Sequence, residues 1–256
     1  MTLFKFNIRR LDTTSSTNDE VIRMAEGGAP EGTVVVARRQ TLGRGRLGRR
    51  WESPTGAGLY LSVLLRPQIC PSNLWQIGFV ASLAAASSIR RAFNLDARIK
   101  WPNDILIEGR KVCGILIEST VADTPASPVV VGIGINVNTR AFPEELAEKA
   151  TSLLLQSGGG QDIDLNLAES ALLDSIREWY VRYLTEGFPP VLHAWRLLDC
   201  TSGHTVRVLL GGDAVEGRAV EVDLDGNLIV EQDGSQRVAV SSGEVILGHT
   251  KRSDGE

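Results

Sequence analysis

The chain has 256 residues, a formal net charge of −4, 43% apolar residues and three cysteines. That length suits one large domain with at most a small appendage, and the apolar content can supply a sizeable core. No apolar run reaches the ~18 residues that a membrane span needs. The acidic total argues against a general nucleic-acid binder, though not against a local basic patch.

The N-terminal stretch mixes Phe4, Phe6 and Ile8 with Lys5, Arg9 and Arg10, which predicts a strand and not a secretion signal. In Thr13 to Glu20, Ser16 or Thr17 could cap a helix running from Val21 to Ala25, with Glu20 completing a capping box. Two β-branched or apolar runs, Thr33 to Ala37 and Leu59 to Leu65, read as strands. A helix is predicted from an N-cap at Ser72 to about Asn94, with Ile77, Val80, Ala81, Ala84 and Ala85 at helical spacing. Short strands follow at Arg98 to Trp101, Ile105 to Ile107 and Val112 to Glu118, the last two joined by a tight turn at Glu108-Gly109-Arg110.

From Pro128 to Val137 the period is two. Val129, Val131, Ile133, Ile135 and Val137 form a greasy face; Val130, Gly132, Gly134 and Asn136 form the other. A strand face stripped of side chains has a backbone or a ligand close against it. A helix packed there is the plainer reading, and both can hold at opposite ends.

After a turn at Ser157 to Gly160, Leu172, Leu173, Ile176, Tyr180, Tyr183 and Leu184 share one helical face, ended by Gly187. Pro189-Pro190 opens a second helix through Trp195 to Leu198. From Thr205 onward, short strands alternate with Gly-containing turns, as in a small all-β barrel. The expected division is a catalytic domain over 1–200 and a barrel over 203–250.

Three segments carry chemistry. Gly43-Arg44-Gly45-Arg46-Leu47-Gly48-Arg49-Arg50-Trp51 packs four arginines and three glycines into nine positions of an acidic chain. Glycine permits φ > 0 and close approach of a ligand to the backbone, and arginine offers a rigid fork of donors for phosphate or carboxylate. The segment lies between two predicted strands, so it is a loop that could close over an anion. It lacks the Gly-Lys-Ser/Thr of a P-loop and the Gly-x-Gly-x-x-Gly of a dinucleotide fold. Lys100-Trp101-Pro102-Asn103-Asp104 places a lysine among apolar and aromatic residues, where its charge needs a partner. The hydroxyls around Ser16 can bind a ligand at a helix start. No Ser-His-Asp set stands out, so the nucleophile would come from the substrate. His193, His204 and His249 show no zinc-ligand spacing. The well-separated Cys70, Cys113 and Cys200 suit a reducing cytosol.

In this order the pieces resemble a biotin protein ligase. Ser16-Thr17-Asn18, the run Gln40 to Trp51, Lys100 to Asp104 and Lys111-Val112-Cys113-Gly114-Ile115-Leu116 carry the resemblance, with Gly132-Ile133-Gly134-Ile135-Asn136 a weaker fifth. The resemblance implies an α+β fold: a mixed, class II synthetase-like sheet flanked by helices, then an SH3-like barrel. It implies two steps. Biotin and ATP give biotinyl-5′-adenylate, and biotin then passes to a lysine on the biotin carrier domain of acetyl-CoA carboxylase. Mg²⁺ on the phosphates is also implied. By the same resemblance Ser16, Thr17, Asn18, Gln40 and Gly114 would hold biotin. Arg44, Gly45 and Arg46 would close over biotin and adenylate, with Arg46 also toward the nucleotide. Lys100 would meet the carboxylate and α-phosphate oxygens, and Lys100 and Arg46 would be the catalytic residues. Trp51 and Asn136 would lie by the adenosine.

The first motif falls at Ser16, which leaves no room for the N-terminal helix-turn-helix of the repressor-type members. The expectation is a monofunctional enzyme, cytoplasmic, without DNA binding. A family arginine near the chain end has no clear match here, and Lys251, Arg252 or Arg207 could serve. Lipoate protein ligases share the fold but show Arg-Arg-x-Gly-Gly-Gly-Ala, whereas Arg38-Arg39 is followed by Gln40-Thr41-Leu42. A biotin-binding regulator is the rival of another class. Homodimer and monomer both remain open.

Overall fold

A computed structural model describes residues 4–119 and 127–248. The start of the predicted N-terminal strand, and the candidates His249, Lys251 and Arg252, lie outside the described residues.

The first sheet has seven strands. They are β1 (Asn7–Leu11), β2 (Thr33–Ala37), β3 (Gly58–Leu65), β4 (Arg98–Lys100), β5 (Asp104–Ile107), β6 (Arg110–Ser119) and β7 (Val129–Asn136). Their spatial order is β1-β2-β3-β7-β6-β5-β4. Only β1 and β2 are parallel, joined by the crossover helix α1 (Thr17–Glu26); the other neighbours are antiparallel. The architecture is therefore mixed α+β.

Helices cover the two faces unequally. The long α2 (Gln76–Phe93), α5 (Leu165–Glu186) and α6 (Phe188–Leu198) lie on the greasy face. There Leu61, Val63, Val131, Ile133 and Ile135 join Ile77, Leu83, Leu172, Tyr180 and Trp195 in the main core. On the other face α1 packs Val21 and Ala25 against Val35, Leu64 and Val130, a small second cluster. Short helices α3 (Glu144–Ala147) and α4 (Leu153–Gln156) follow β7.

The predicted alternation of β7 holds; the helix reading of its bare face is met at one end, and at the other end side chains lie where a backbone or a ligand was expected. Val130 is covered by α1. Further along the strand, an added Cβ at Gly132 would collide with the Asn18 carboxamide, and one at Gly134 would lie 2.5 Å from Trp51 Nε1.

The second sheet is an open antiparallel one in the order β11-β10-β9-β8-β12. It contains β8 (Thr205–Leu210), β9 (Asp213–Val222), β10 (Leu228–Glu231), β11 (Arg237–Val240) and β12 (Glu244–Leu247). Trp101 ties it to the first: its backbone N–H donates to Thr201 Oγ1 at 2.8 Å and its indole N–H to the Gly226 carbonyl at 3.0 Å.

Three local expectations are corrected. Ser72 does not cap α2; it sits in a 3₁₀ turn (Pro71–Asn73), and the helix begins at Gln76. Ser16 occupies the N-cap position of α1 but makes no side-chain cap, and no capping box forms: Glu20 accepts from Thr14 Oγ1 at 3.1 Å and pairs with Arg23. Leu184, placed on the buried face of α5, is 47% exposed, whereas its neighbour Tyr183 in the same last turn is buried.

Candidate active site

The α1 N-terminus meets β3 and the bare face of β7 in a connected polar set. Thr17 donates to Gln40 Oε1 twice, from its backbone N–H at 2.8 Å and from Oγ1 at 3.1 Å. Gln40 Nε2 in turn donates to Ser53 Oγ at 2.9 Å. Ser62, fully buried on β3, hydrogen-bonds to Thr17 Oγ1 at 2.7 Å and to Asn18 Oδ1 at 2.5 Å. Ser16, Thr17 and Asn18 are all buried. Burying this many hydroxyls and amides costs folding free energy unless each is satisfied, so the network holds Thr17, Asn18, Gln40 and Ser62 in fixed directions.

The Arg/Gly loop leaves β2 and returns to β3 across this set. Arg44 makes a bidentate pair with Asp19, at 2.8 and 2.6 Å, and its NH2 lies 3.3 Å from both Glu118 oxygens. The Asp19 hydrogen bond, helped by the nearby Glu118 charge, raises the Arg44 pKa further. Arg46 donates to Asn103 Oδ1 at 2.9 Å, and Asn103 is held by the Ile115 carbonyl at 2.6 Å. Burial pushes the Arg46 pKa down, while Asp104 opposes that shift. Arg49 pairs with Glu244 on β12, so the loop also touches the second sheet. The loop glycines are not all hinges. Gly48 takes a positive φ beside a left-handed Leu47, but Gly43 and Gly45 do not. Gly43 is required for space, since a Cβ there would lie 2.5 Å from the Trp51 carbonyl.

Trp51 lies over Gly134 and Gly114, and among the described residues its buried indole N–H has no acceptor. Over its ring, 5.5 Å from the centroid, stands Lys111 Nζ, which is 2.5 Å from Asp104 Oδ1. In the sequence Lys111 has no signal of its own beyond its place in the Lys111 to Leu116 motif. Lys100 reaches the same neighbourhood from β4. Burial lowers its pKa, the Asp104 charge raises it, and Lys111 lowers it again. Asn136 sits on the bare face as expected, but its amide donates to the Thr151 carbonyl at 3.1 Å and so anchors the segment before α4. Arg207 is engaged by Glu216 at 3.1 Å on the second sheet. Glu118, Asp19, Asn103 and Ser62 also belong to the cluster and were not foreseen.

The arrangement is thus a polar cluster at one end of the bare face, an indole further along it with Lys111 over its ring, Lys100 across the sheet and an arginine loop alongside. It can grip a small polar ring, an aromatic base and the anionic groups that join them.

Comparison with known proteins agrees. Residues 8–136 match the model of the biotin/lipoate A/B protein ligase family, and residues 201–248 match the biotin protein ligase C-terminal domain. The chain is 33% identical over 243 residues to a biotin--[acetyl-CoA-carboxylase] ligase of Paracoccus denitrificans, covering 93% of this chain and 99% of that protein. It is 37% identical over 240 residues to the bifunctional ligase/repressor BirA of Bacillus spizizenii, covering 93% of this chain and 73% of that one. Among solved structures, the biotin protein ligase of Aquifex aeolicus in complex with biotin and ATP superposes with a TM-score of 0.82 at 31% identity, covering 95% and 99% of the two chains. The chain belongs to the biotin/lipoate A/B protein ligase family, among its biotin protein ligases.

Proposed function

We propose that the protein joins biotin to ATP as biotinyl-5′-adenylate, releasing pyrophosphate, and passes the biotinyl group to a lysine amine of a carboxylase carrier domain, releasing AMP. The observation that carries this reading is the bare face of β7, with Asn18 against Gly132, Trp51 against Gly134 and Lys111 beside the indole. A ring bound among Ser16, Thr17, Asn18 and Gln40 would direct its carboxylate toward Gly114 and the lysines. A base near Trp51 and Asn136 would bring its α-phosphate to the same point. The reaction then needs positioning and charge neutralisation and no protein nucleophile.

Lys100 and Lys111 supply the fixed positive charge, and Arg44, Gly45 and Arg46 the cover. Sealing matters, because the mixed anhydride hydrolyses in water. Among the described residues no three His, Cys, Asp or Glu side chains converge on a metal cage. That suits a Mg²⁺ ion carried in on the nucleotide phosphates, with Asp104 as the nearby carboxylate, since Mg²⁺ takes few protein ligands in such sites. Bound there, the ion would neutralise phosphate charge. We read the strands after Thr205 as an SH3-like module over 203–250 that follows a catalytic domain over 1–200.

The test is an acceptor carrier domain incubated with the protein, biotin and MgATP, then probed with avidin. Biotin on the acceptor lysine is expected, and an unmodified acceptor would overturn the proposal.

A further inference from the structure

Glu118 near the end of β6 is shared by two partners. Its Oε2 accepts from Asn18 Nδ2 at 2.6 Å, and both its oxygens lie 3.3 Å from Arg44 NH2. Asn18 is buried and clamped on its other side by Ser62, whereas Arg44 belongs to the loop and is otherwise held by Asp19. One carboxylate therefore joins the floor of the polar pocket to the loop beside it. Among the described residues no other side chain hydrogen-bonds to both Asn18 and Arg44.

Resting on the biotin-site reading above, we propose that Glu118 is a positioning residue that couples pocket occupancy to the Arg44 loop. A bound ligand acceptor that takes the Asn18 N–H now donated to Glu118 releases that carboxylate from one of its two donors. The freed oxygen then turns fully to Arg44, and a charge-assisted guanidinium–carboxylate bond is stronger than a shared one. Biotin would tighten its own cover, and by linkage a tightened loop would hold biotin more firmly. Asp19 plays the other part: it holds Arg44 whether or not the site is filled, because it makes no hydrogen bond to the Asn18 side chain.

Trypsin cleavage after Arg44, mapped by mass spectrometry on the full chain with and without biotin, reads this coupling. Glu118→Gln keeps an acceptor for Asn18 and removes the charge; Asp19→Asn loosens the loop alone. Both variants should cut about two- to fivefold faster without biotin, the range of an exposed ion pair. The separating readout is the factor by which saturating biotin slows cleavage. That factor should persist in Asp19→Asn and shrink about two- to fivefold in Glu118→Gln, whose biotin KM rises by a similar factor with kcat little changed. Equal biotin protection in both variants and the parent would overturn the coupling. Failure of the parent to bind biotin, seen as no thermal shift, would instead overturn the reading on which it rests.

Discussion

Lys100 and Lys111 flank Asp104 from β4 and β6, yet their surroundings differ. Lys111 keeps a carboxylate at 2.5 Å, while Lys100 has burial as its dominant influence. Folding lowers the Lys100 pKa, so between its folded and unfolded values the unfolded chain binds more protons and stability rises with pH. Below both values the cost of burying the charge is fully present. Lys100→Met should therefore stabilise the protein at neutral pH, by about 0.5–2 kcal/mol, and flatten the alkaline rise in Tm. The same change should slow adenylate formation at least about tenfold, as expected where an oriented charge is lost from the reacting centre. Melting curves across the alkaline range and a pyrophosphate-release assay check the two halves. At Arg46, one hydrogen bond to Asn103 predicts a stability loss of about 1 kcal/mol for Arg46→Gly. The larger effect should be faster escape of free adenylate, and escape at the parent rate would contradict the sealing role.

At the scale of elements, β7 shows how function is written as missing side chains. Gly134→Ala would push a methyl group into the Trp51 indole. An overpacking cost of about 1–3 kcal/mol is expected, together with weakened ATP affinity and unaltered biotin affinity; titration of each ligand by calorimetry distinguishes them. Gly132→Ala should do the reverse, since its obstacle is Asn18. This much was legible in the sequence, because a strand's period of two sorts residues onto faces without knowledge of the fold. The place of Lys111 was not. The β5–β6 register shifts at Ile105/Leu106, pairing Ile105 with Cys113 but Leu106 with Lys111. That bulge turns Lys111 onto the face of Gly114, three residues away, which strict alternation would place on opposite faces. The capping box failed for a related reason: Thr14 and Arg23 offered Glu20 better partners than a helix end did.

At the scale of the molecule, the family resemblance implied which segments would meet, but nothing in the sequence said how the loop would be held. The motifs at Ser16, Gly43, Lys100 and Lys111 are spread over about a hundred residues and converge because β3, β7 and β6 are neighbours in one sheet. Ion pairs such as Arg44 with Asp19, or Arg49 with Glu244, join residues 25 and 195 positions apart and carry no local signature. Arg49→Ala should loosen the loop from the second sheet with a stability cost below about 1 kcal/mol, seen as faster hydrogen exchange over Gly43 to Trp51 with Tm lowered by no more than about 2–4 °C. The central claim, that the bare face and its lysines form an adenylate from biotin, is reached most directly by ATP–pyrophosphate exchange on the intact protein without any acceptor. Exchange that requires biotin and is not supported by lipoate is the expected result. Absence of exchange with biotin, or equal exchange with lipoate, would contradict it.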